Sequence, residues 1–335
     1  MKKNASIIMA MLALSLVWTG CNKHGKLSEA SKFKIPTGPV ELKLKWPLGE
    51  RVLQSLEVKH TSEITLPNRP APMKQDMNFG QQYALTVLKD DGAGGREVEM
   101  EFLNAWGSMT NAGQSPVSFD SAKKSPTDAG NPLAESLTKL VGAKLQFFLD
   151  ASNVVQKVEG VDEIKNRFAS GGKAGPANGL DSMFTEPYFK QMLDYSRNLP
   201  PNPVQPGDTW PVKLDVSLGN LGAMDMEFEF TFASWEKHGK RTCARLEFTG
   251  TIKNKPMGNS NPGGMTIAVQ DGSATGVTWF DPEIGAVIDT TTIQDMRMTV
   301  TVPMPAAAKK NLAAKPLIVT TVMHQVVTTK LDSVK

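Results

Sequence analysis

The chain has 335 residues, of which 40% are hydrophobic, and its 37 basic and 34 acidic residues leave a formal charge of only +3. This length is enough to bury a sizeable core in one large domain or in two lobes. The sequence has no block of basic residues interleaved with aromatic side chains, and this excludes the usual pattern of a nucleic-acid-binding protein.

The first segment has the pattern of a secretory signal. Lys2 and Lys3 precede an apolar run from Ile7 to Trp18, and its length falls within the ~7–15 residues typical of a signal peptide. A membrane-spanning helix would need ~20 apolar residues. The segment therefore predicts export rather than a transmembrane anchor.

The end of this segment, Trp18-Thr19-Gly20-Cys21, resembles the lipobox of bacterial lipoproteins. In that family the cysteine is acylated and becomes the new N-terminus, so the resemblance implies a signal peptide over residues 1–20 and a lipid on Cys21. Two or three acyl chains give stable membrane anchoring. The family usually has leucine where Trp18 stands, and an ordinary secretory signal is the alternative. The implied location is the cell envelope, and Asn22 after the cysteine favours the outer membrane, facing the periplasm.

Residues 21–40 are polar and end in a Pro- and Gly-containing stretch, so we expect a flexible tether there. Strand-like alternation begins at Glu41–Trp46 and continues over Val52–Leu66. The clearest hairpin runs from Met77 to Phe102 around a Gly-rich turn. Residues 107–130 are low in apolar content and predict a loop.

Helices are predicted only between residues 131 and 199. Asn131-Pro132 has the pattern of an N-cap followed by proline at the first helical position. Residues 161–169 predict a short second helix, and the pattern over 180–199 is helical with a break before Pro187. The remainder of the chain again shows alternation typical of strands.

The sequence therefore predicts a mainly β protein, a β-rich α+β fold with large curved antiparallel sheets in one domain over residues 41–335. Two stretches of the second half echo the first: Met224–Phe248 matches Met77–Phe102, and Phe280–Ile288 matches Phe148–Val155. Either a duplication or shared turn chemistry explains the match. A duplication predicts lobes 41–160 and 204–335, bridged by helices in 161–199.

No catalytic, phosphate-binding or dinucleotide motif is present in the sequence, so we predict a non-enzymatic protein without cofactor or metal. The histidines are His24, His60, His238 and His324, and only a spatial meeting of His60 with His324 remains as a metal hypothesis. The paired methionines, Met224 with Met226 and Met296 with Met298, could bind copper, but core packing explains them better. Cys243 is interpreted as a half-exposed strand thiol. Alternating carboxylates such as Glu97 and Glu227 are assigned to solvent faces.

Phe148-Leu149-Asp150 with Val154–Gly160, and Leu199–Trp210, resemble uncharacterised families of bacterial envelope lipoproteins of the domain-of-unknown-function type. A looser similarity to lipoprotein-carrier half-barrels implies a curved sheet around an apolar cavity. The leading hypothesis is binding of an apolar ligand or a partner protein at the membrane. The alternatives are an envelope-assembly scaffold without a pocket and a hydrolase with an unrecognised site.

Overall fold

The computed structural model describes residues 27, 29–67, 69, 71–111, 113, 115–123, 125, 128–169, 185–193, 195–217, 223–255, 266–302 and 316–335. The predicted signal peptide, Cys21 and His24 lie outside the described residues. The strands are β1 (Arg51–Thr65), β2 (Met73–Asp90), β3 (Arg96–Asn111), β4 (Val117–Asp120), β5 (Lys144–Leu149), β6 (Val155–Glu159), β7 (Thr209–Ser217), β8 (Ala223–His238), β9 (Arg241–Lys255), β10 (Thr266–Asp281), β11 (Ala286–Val302) and β12 (Leu317–Val334).

These strands form one 12-stranded antiparallel sheet in the order β6-β5-β3-β2-β1-β12-β11-β10-β9-β8-β7, with β4 paired to β3 beside this path. The five strands β1, β2, β3, β5 and β6 form a meander, and so do β7 to β11. Strand β12 pairs with both β1 and β11 and thereby joins the two meanders. The two sequence blocks that resemble each other thus occupy the same places in the chain order of the two meanders, and the duplication stays a prediction.

The sheet is curved but open. Among the described residues its edge strands β6 and β7 do not pair with each other, and the helix α3 (Glu186–Leu193) packs against both. The Glu186 carboxylate accepts a hydrogen bond from the backbone N–H of Val158 in β6 at 3.4 Å. On the other side, Gln191 donates to the carbonyl of Asp215 in β7 at 2.6 Å. The helix therefore bridges the two edges of the sheet.

One face of this sheet is buried and forms the interior. In β1 the even-numbered residues from Gln54 to Ile64 are buried while their odd-numbered neighbours are more exposed. Successive side chains of a strand point to opposite faces, so this pattern fixes which side of β1 faces the interior. Apolar side chains from nearly every strand meet there in one main core cluster. The predicted β-rich fold with a large antiparallel sheet is confirmed.

The first two helices begin where the sequence predicts, whereas the first part of the helical pattern predicted over 180–199, residues 180–184, lies outside the described residues. In α1 (Pro132–Leu137) the Asn131 side chain accepts hydrogen bonds from the N–H groups of Leu133 and Ala134, as an N-cap does. Helix α2 spans Val161–Ala169, and a 3₁₀ helix at Tyr195–Asn198 follows α3. No described helix is both long and apolar enough to span a membrane.

Two local predictions were wrong. Residues 41–46 alternate in burial but form no strand: the preceding Val40 makes an isolated bridge with Val204, and the Lys45 N–H donates to the carbonyl of Gly285 at 2.9 Å. Residues 107–130 are not all loop, since β3 continues to Asn111 and β4 follows. Pairing with β2 stabilises this extension of β3, and such a distant partner cannot be read from local composition.

A buried ion-pair cluster ties the N-terminal segment to one end of the sheet. Arg241 contacts the carboxylate of Asp281 through Nε at 2.5 Å and that of Glu283 through its terminal nitrogen at 2.9 Å. Glu283 also accepts a hydrogen bond from the Ser31 hydroxyl at 2.7 Å. The ring of Phe33 packs 5.2 Å from that of Trp235. Ser31 and Phe33, which belong to the segment predicted as a flexible tether, therefore contact this end of the sheet.

Candidate ligand-binding site in the interior

A band of polar side chains crosses the interior face of the central strands. Gln294 of β11 pairs in register with Gln325 of β12, and Gln325 pairs with His60 of β1. Ser62 lies on the same face two residues after His60 in β1, and Thr321 four residues before Gln325 in the antiparallel β12. We call Gln294, Gln325, His60, Ser62 and Thr321 the polar belt. All five are at most 4% exposed.

The polar belt leaves several hydrogen-bonding atoms without a partner among the described residues. Gln325 donates through Nε2 to Oε1 of Gln294 at 3.2 Å, which leaves Gln325 Oε1 and Gln294 Nε2 unused. The hydroxyls of Ser62 and Thr321 are likewise unpaired, and neither ring nitrogen of His60 makes a hydrogen bond of good geometry, although the ring lies close to the Gln325 amide. Buried polar atoms are normally hydrogen-bonded, and each one left unpaired costs about 1–3 kcal/mol. The polar belt thus concentrates unused hydrogen-bonding capacity in one place.

Apolar side chains surround the polar belt. Val58 and Val327 lie on one side, and Met296 and Met323 on the other, all in the main core cluster. Farther across the same interior, aromatic rings stack on strands β7 to β9: Trp210 on Phe230 at 5.7 Å and Phe230 on Phe248 at 4.9 Å. We call Trp210, Phe228, Phe230 and Phe248 the aromatic wall. The interior is thus an apolar core with one polar zone.

The aromatic wall depends on glycines in the neighbouring strands. Phe228 lies opposite Gly250 in the β8–β9 ladder, and Phe248 lies opposite Gly276 in the β9–β10 ladder. A Cβ atom on either glycine would collide with the facing ring and with a backbone oxygen. The two glycines therefore provide the flat surface against which the rings pack.

The interior around the polar belt carries no charged side chain among the described residues. Asp76, Asp295 and His324 lie on the same four central strands but point to the outer face, where they are exposed. Burial raises the pKa of the Tyr83 phenol and that of Tyr195, so both interior tyrosines stay neutral. The polar belt is therefore an uncharged hydrogen-bonding zone.

A small, partly open cavity lies at the end of the interior where β1 begins. Its volume is about 30 Å³, and its lining includes Trp46, Gln54 and Tyr195. Trp46 Nε1 and Gln54 Oε1 have no partner among the described residues, and the Tyr195 hydroxyl lies close to that of Tyr83. This volume has room for one or two water molecules. It is far too small for a lipid.

The three histidines in the described part of the chain are not grouped as a metal site. Thr61, not His60, lies opposite His324 in the register, so His60 and His324 point to opposite faces of the sheet. His238 stacks on the ring of Trp279 at 4.7 Å. Within the described ranges, no group of three His, Cys, Asp or Glu side chains is arranged to hold a metal ion.

The other candidate residues of the sequence lie in core or surface positions. The methionine pairs 224/226 and 296/298 are buried in the main core cluster, as the packing interpretation predicts. Cys243 is completely buried beside Ile288 and Leu331, so its assignment as half-exposed was wrong. Glu97 and Glu227 form ion pairs with Lys89 and Lys213 on the outer face. The polar belt itself was not predicted from the sequence.

We expect the stability of the protein to fall between pH 7 and pH 5 because of His60. Burial lowers the pKa of His60, although nearby Gln325 and Asp76 oppose the shift. Below about pH 6.5 the unfolded chain binds a proton that the folded chain does not yet bind, so stability present above that pH is lost as pH falls towards the folded pKa. The loss approaches about 1.4 kcal/mol per pH unit in that window.

Urea unfolding at several pH values checks this expectation. His60→Leu should lose less stability between pH 7 and pH 5 than the wild type. His324→Leu is the matched control, because His324 lies on the neighbouring strand with a half-exposed side chain. A wild-type curve that stays parallel to that of His60→Leu would contradict the expectation.

The fold and the interior define a class: an open, curved antiparallel-sheet protein whose largely apolar interior carries an uncharged polar belt. Residues 95–287, more than half of the chain, match the model of DUF6263, a family of unknown function. The chain belongs to this family. The expected membership in a family of unknown function is thereby confirmed, while the lipid anchor stays a prediction.

No curated protein matches the sequence significantly. Among solved structures, lipovitellin, described in terms of its lipid–protein interactions, is 8% identical with a TM-score of 0.43; the match covers 87% of this chain but only 26% of that one. A protein with a YmcC-like fold from Bacteroides fragilis is 11% identical over 88% of this chain and 100% of its own, with a TM-score of 0.28. Likenesses at this level assign no function.

Proposed function

We propose that the protein is a non-enzymatic binding protein of the cell envelope, held at the membrane by a lipid on Cys21, which takes up an amphiphile in its curved sheet. The alkyl part of the ligand contacts the apolar lining and the aromatic wall, and its polar part contacts the polar belt. The observation that carries this proposal is the set of buried, unpartnered polar atoms of the belt.

A purely structural core gives no reason for this arrangement. Replacing paired buried polar groups by apolar side chains of the same shape is nearly neutral or stabilising, and unpaired groups destabilise the fold. Residues that reduce stability while lining an interior are typical of functional sites. A ligand that hydrogen-bonds to the belt would satisfy these atoms and would be held in the apolar surroundings at the same time.

Lipid extraction tests the binding function. The purified full-length protein is incubated with an envelope lipid extract, separated by gel filtration, and analysed by mass spectrometry for bound lipid. We expect about one amphiphile per folded chain and none above background on urea-unfolded protein. If the folded protein carried no more lipid than the urea-unfolded protein, binding in the interior would be contradicted.

A separate experiment tests the anchor. Cells that produce the protein should yield a form whose mass includes acyl chains on Cys21 and which sediments with membranes. Because the thiol is the acylated group, Cys21→Ala should lack this mass increment. Cys243→Ala is the control, since Cys243 is buried in the fold. An unmodified wild-type Cys21 would favour the ordinary secretory signal.

The second candidate function is partner binding as a scaffold, and a strip on the outer face favours it. Ile293, Ile318 and Val322 on β11 and β12 are 39–49% exposed although their side chains are large and apolar. Crosslinking of the intact protein in cells, with and without Ile318→Glu, would show whether a partner binds there. Loss of a specific crosslink in the variant would support the scaffold.

A further inference from the structure

The hydrogen-bonding atoms of the polar belt define what kind of group they can recognise. Gln294 Nε2 can only donate and Gln325 Oε1 can only accept, and both are unused. Neutral His60 has one donor and one acceptor nitrogen, and the hydroxyls of Ser62 and Thr321 can do either. The belt therefore offers both donors and acceptors. A group that both donates and accepts, such as a hydroxyl, matches this mixed set.

The charges around the belt exclude an ionic group. The charged side chains near it on the four central strands lie on the outer face: Lys59 and Glu63 on β1, Lys74 and Asp76 on β2, Asp295 and Arg297 on β11, and His324 on β12. A carboxylate or phosphate brought into the interior would have no cation to pair with among the described residues, and an unpaired buried charge is strongly unfavourable. An ammonium group would likewise lack a carboxylate.

We infer that the polar belt is the head-group subsite for an uncharged, hydroxyl-bearing amphiphile, of the glycerol or long-chain alcohol type. This inference rests on the proposed binding function and specifies its ligand class. His60 and the Gln294–Gln325 pair are its specificity-determining residues. The hydrogen bond between the two glutamines orients both amides, so that the free oxygen of one and the free nitrogen of the other are fixed in place.

Photocrosslinking compares two probes that differ only in the head group. Purified full-length protein is mixed with phosphatidylcholine vesicles that contain either a diazirine-bearing 1-O-alkylglycerol or a fatty acid with the same diazirine-bearing chain. Labelled peptides from β1, β11 and β12 are quantified by mass spectrometry. We expect the alkylglycerol to label them about fivefold or more above the fatty acid, because a charge-free belt favours the neutral head.

Variants assign the preference to the belt. His60→Leu and Gln325→Leu should each lower alkylglycerol labelling about fivefold, the loss expected for one hydrogen bond. His324→Leu, on the outer face, should label like the wild type. The fatty-acid signal should change little in any variant.

The outcomes separate the subsite from the function. Equal labelling by both probes, or unchanged labelling in His60→Leu and Gln325→Leu, would overturn the head-group assignment and leave interior binding intact. Stronger labelling by the fatty acid would overturn it too. If neither probe labels the interior peptides above a urea-unfolded control, the proposed binding function itself fails.

Discussion

Arg241→Met should lower the free energy of unfolding by about 3–5 kcal/mol, because it leaves a buried carboxylate without its cation. This is the largest effect that we expect from a single substitution. The Asp281 side chain is completely buried and Arg241 is 6% exposed, with 2.5 Å between Nε and the carboxylate. Methionine fills much of the same volume but leaves the carboxylate without its cation. Urea unfolding at pH 7 measures the loss.

A double variant separates the uncompensated charge from lost packing. In Arg241→Met/Asp281→Asn the amide that replaces Asp281 can still accept hydrogen bonds from the backbone N–H groups of Glu283 and Ile284, which now lie 2.8 and 3.4 Å from Oδ1. Because no buried charge is then unpaired, the double variant should be more stable than Arg241→Met alone. If both variants lost the same stability, the charge would not be the cause.

Local patterns predicted those parts of the fold that depend on neighbours along the chain. Alternation over Val52–Leu66 indicated β1, and the Gly-rich turn indicated the β2–β3 hairpin, because both signals lie within one stretch of sequence. Asn131 indicated the start of α1 through its capping geometry. The pairing of β1 with β12 joins residues more than 250 positions apart, and no local pattern encodes such a partner.

The candidate site is not predicted from the sequence because the period-two alternation of the strands is used there only to locate apolar core residues. The polar residues at the same inward positions are not considered. In β12 the same period of two that places Val319, Met323 and Val327 on the interior face also places Thr321 and Gln325 there. A glutamine at an inward position of an apolar strand face was therefore a usable signal. That it lies beside His60 and Gln294 depends on the strand order, which only the structure provides.

We expect Gln294→Leu/Gln325→Leu to raise the free energy of unfolding of the ligand-free protein by about 1–3 kcal/mol. The two side chains are fully buried and share one hydrogen bond of 3.2 Å, while one polar atom of each has no partner among the described residues. Leucine has a similar volume and removes both unpaired atoms together with that bond. Urea unfolding of lipid-depleted protein, compared with the wild type, measures the gain.

The control pair has the same burial but a complete hydrogen bond. Thr278 and Thr290 are fully buried on the adjacent strands β10 and β11, with 3.1 Å between their hydroxyl oxygens. Thr278→Val/Thr290→Val removes a satisfied pair, so its stability should stay within about 1 kcal/mol of the wild type. If Gln294→Leu/Gln325→Leu were less stable than Thr278→Val/Thr290→Val, the two glutamines would stabilise the fold rather than serve a binding site. A gain confined to the leucine pair would show that the chain keeps these amides at the expense of stability, as a binding site does.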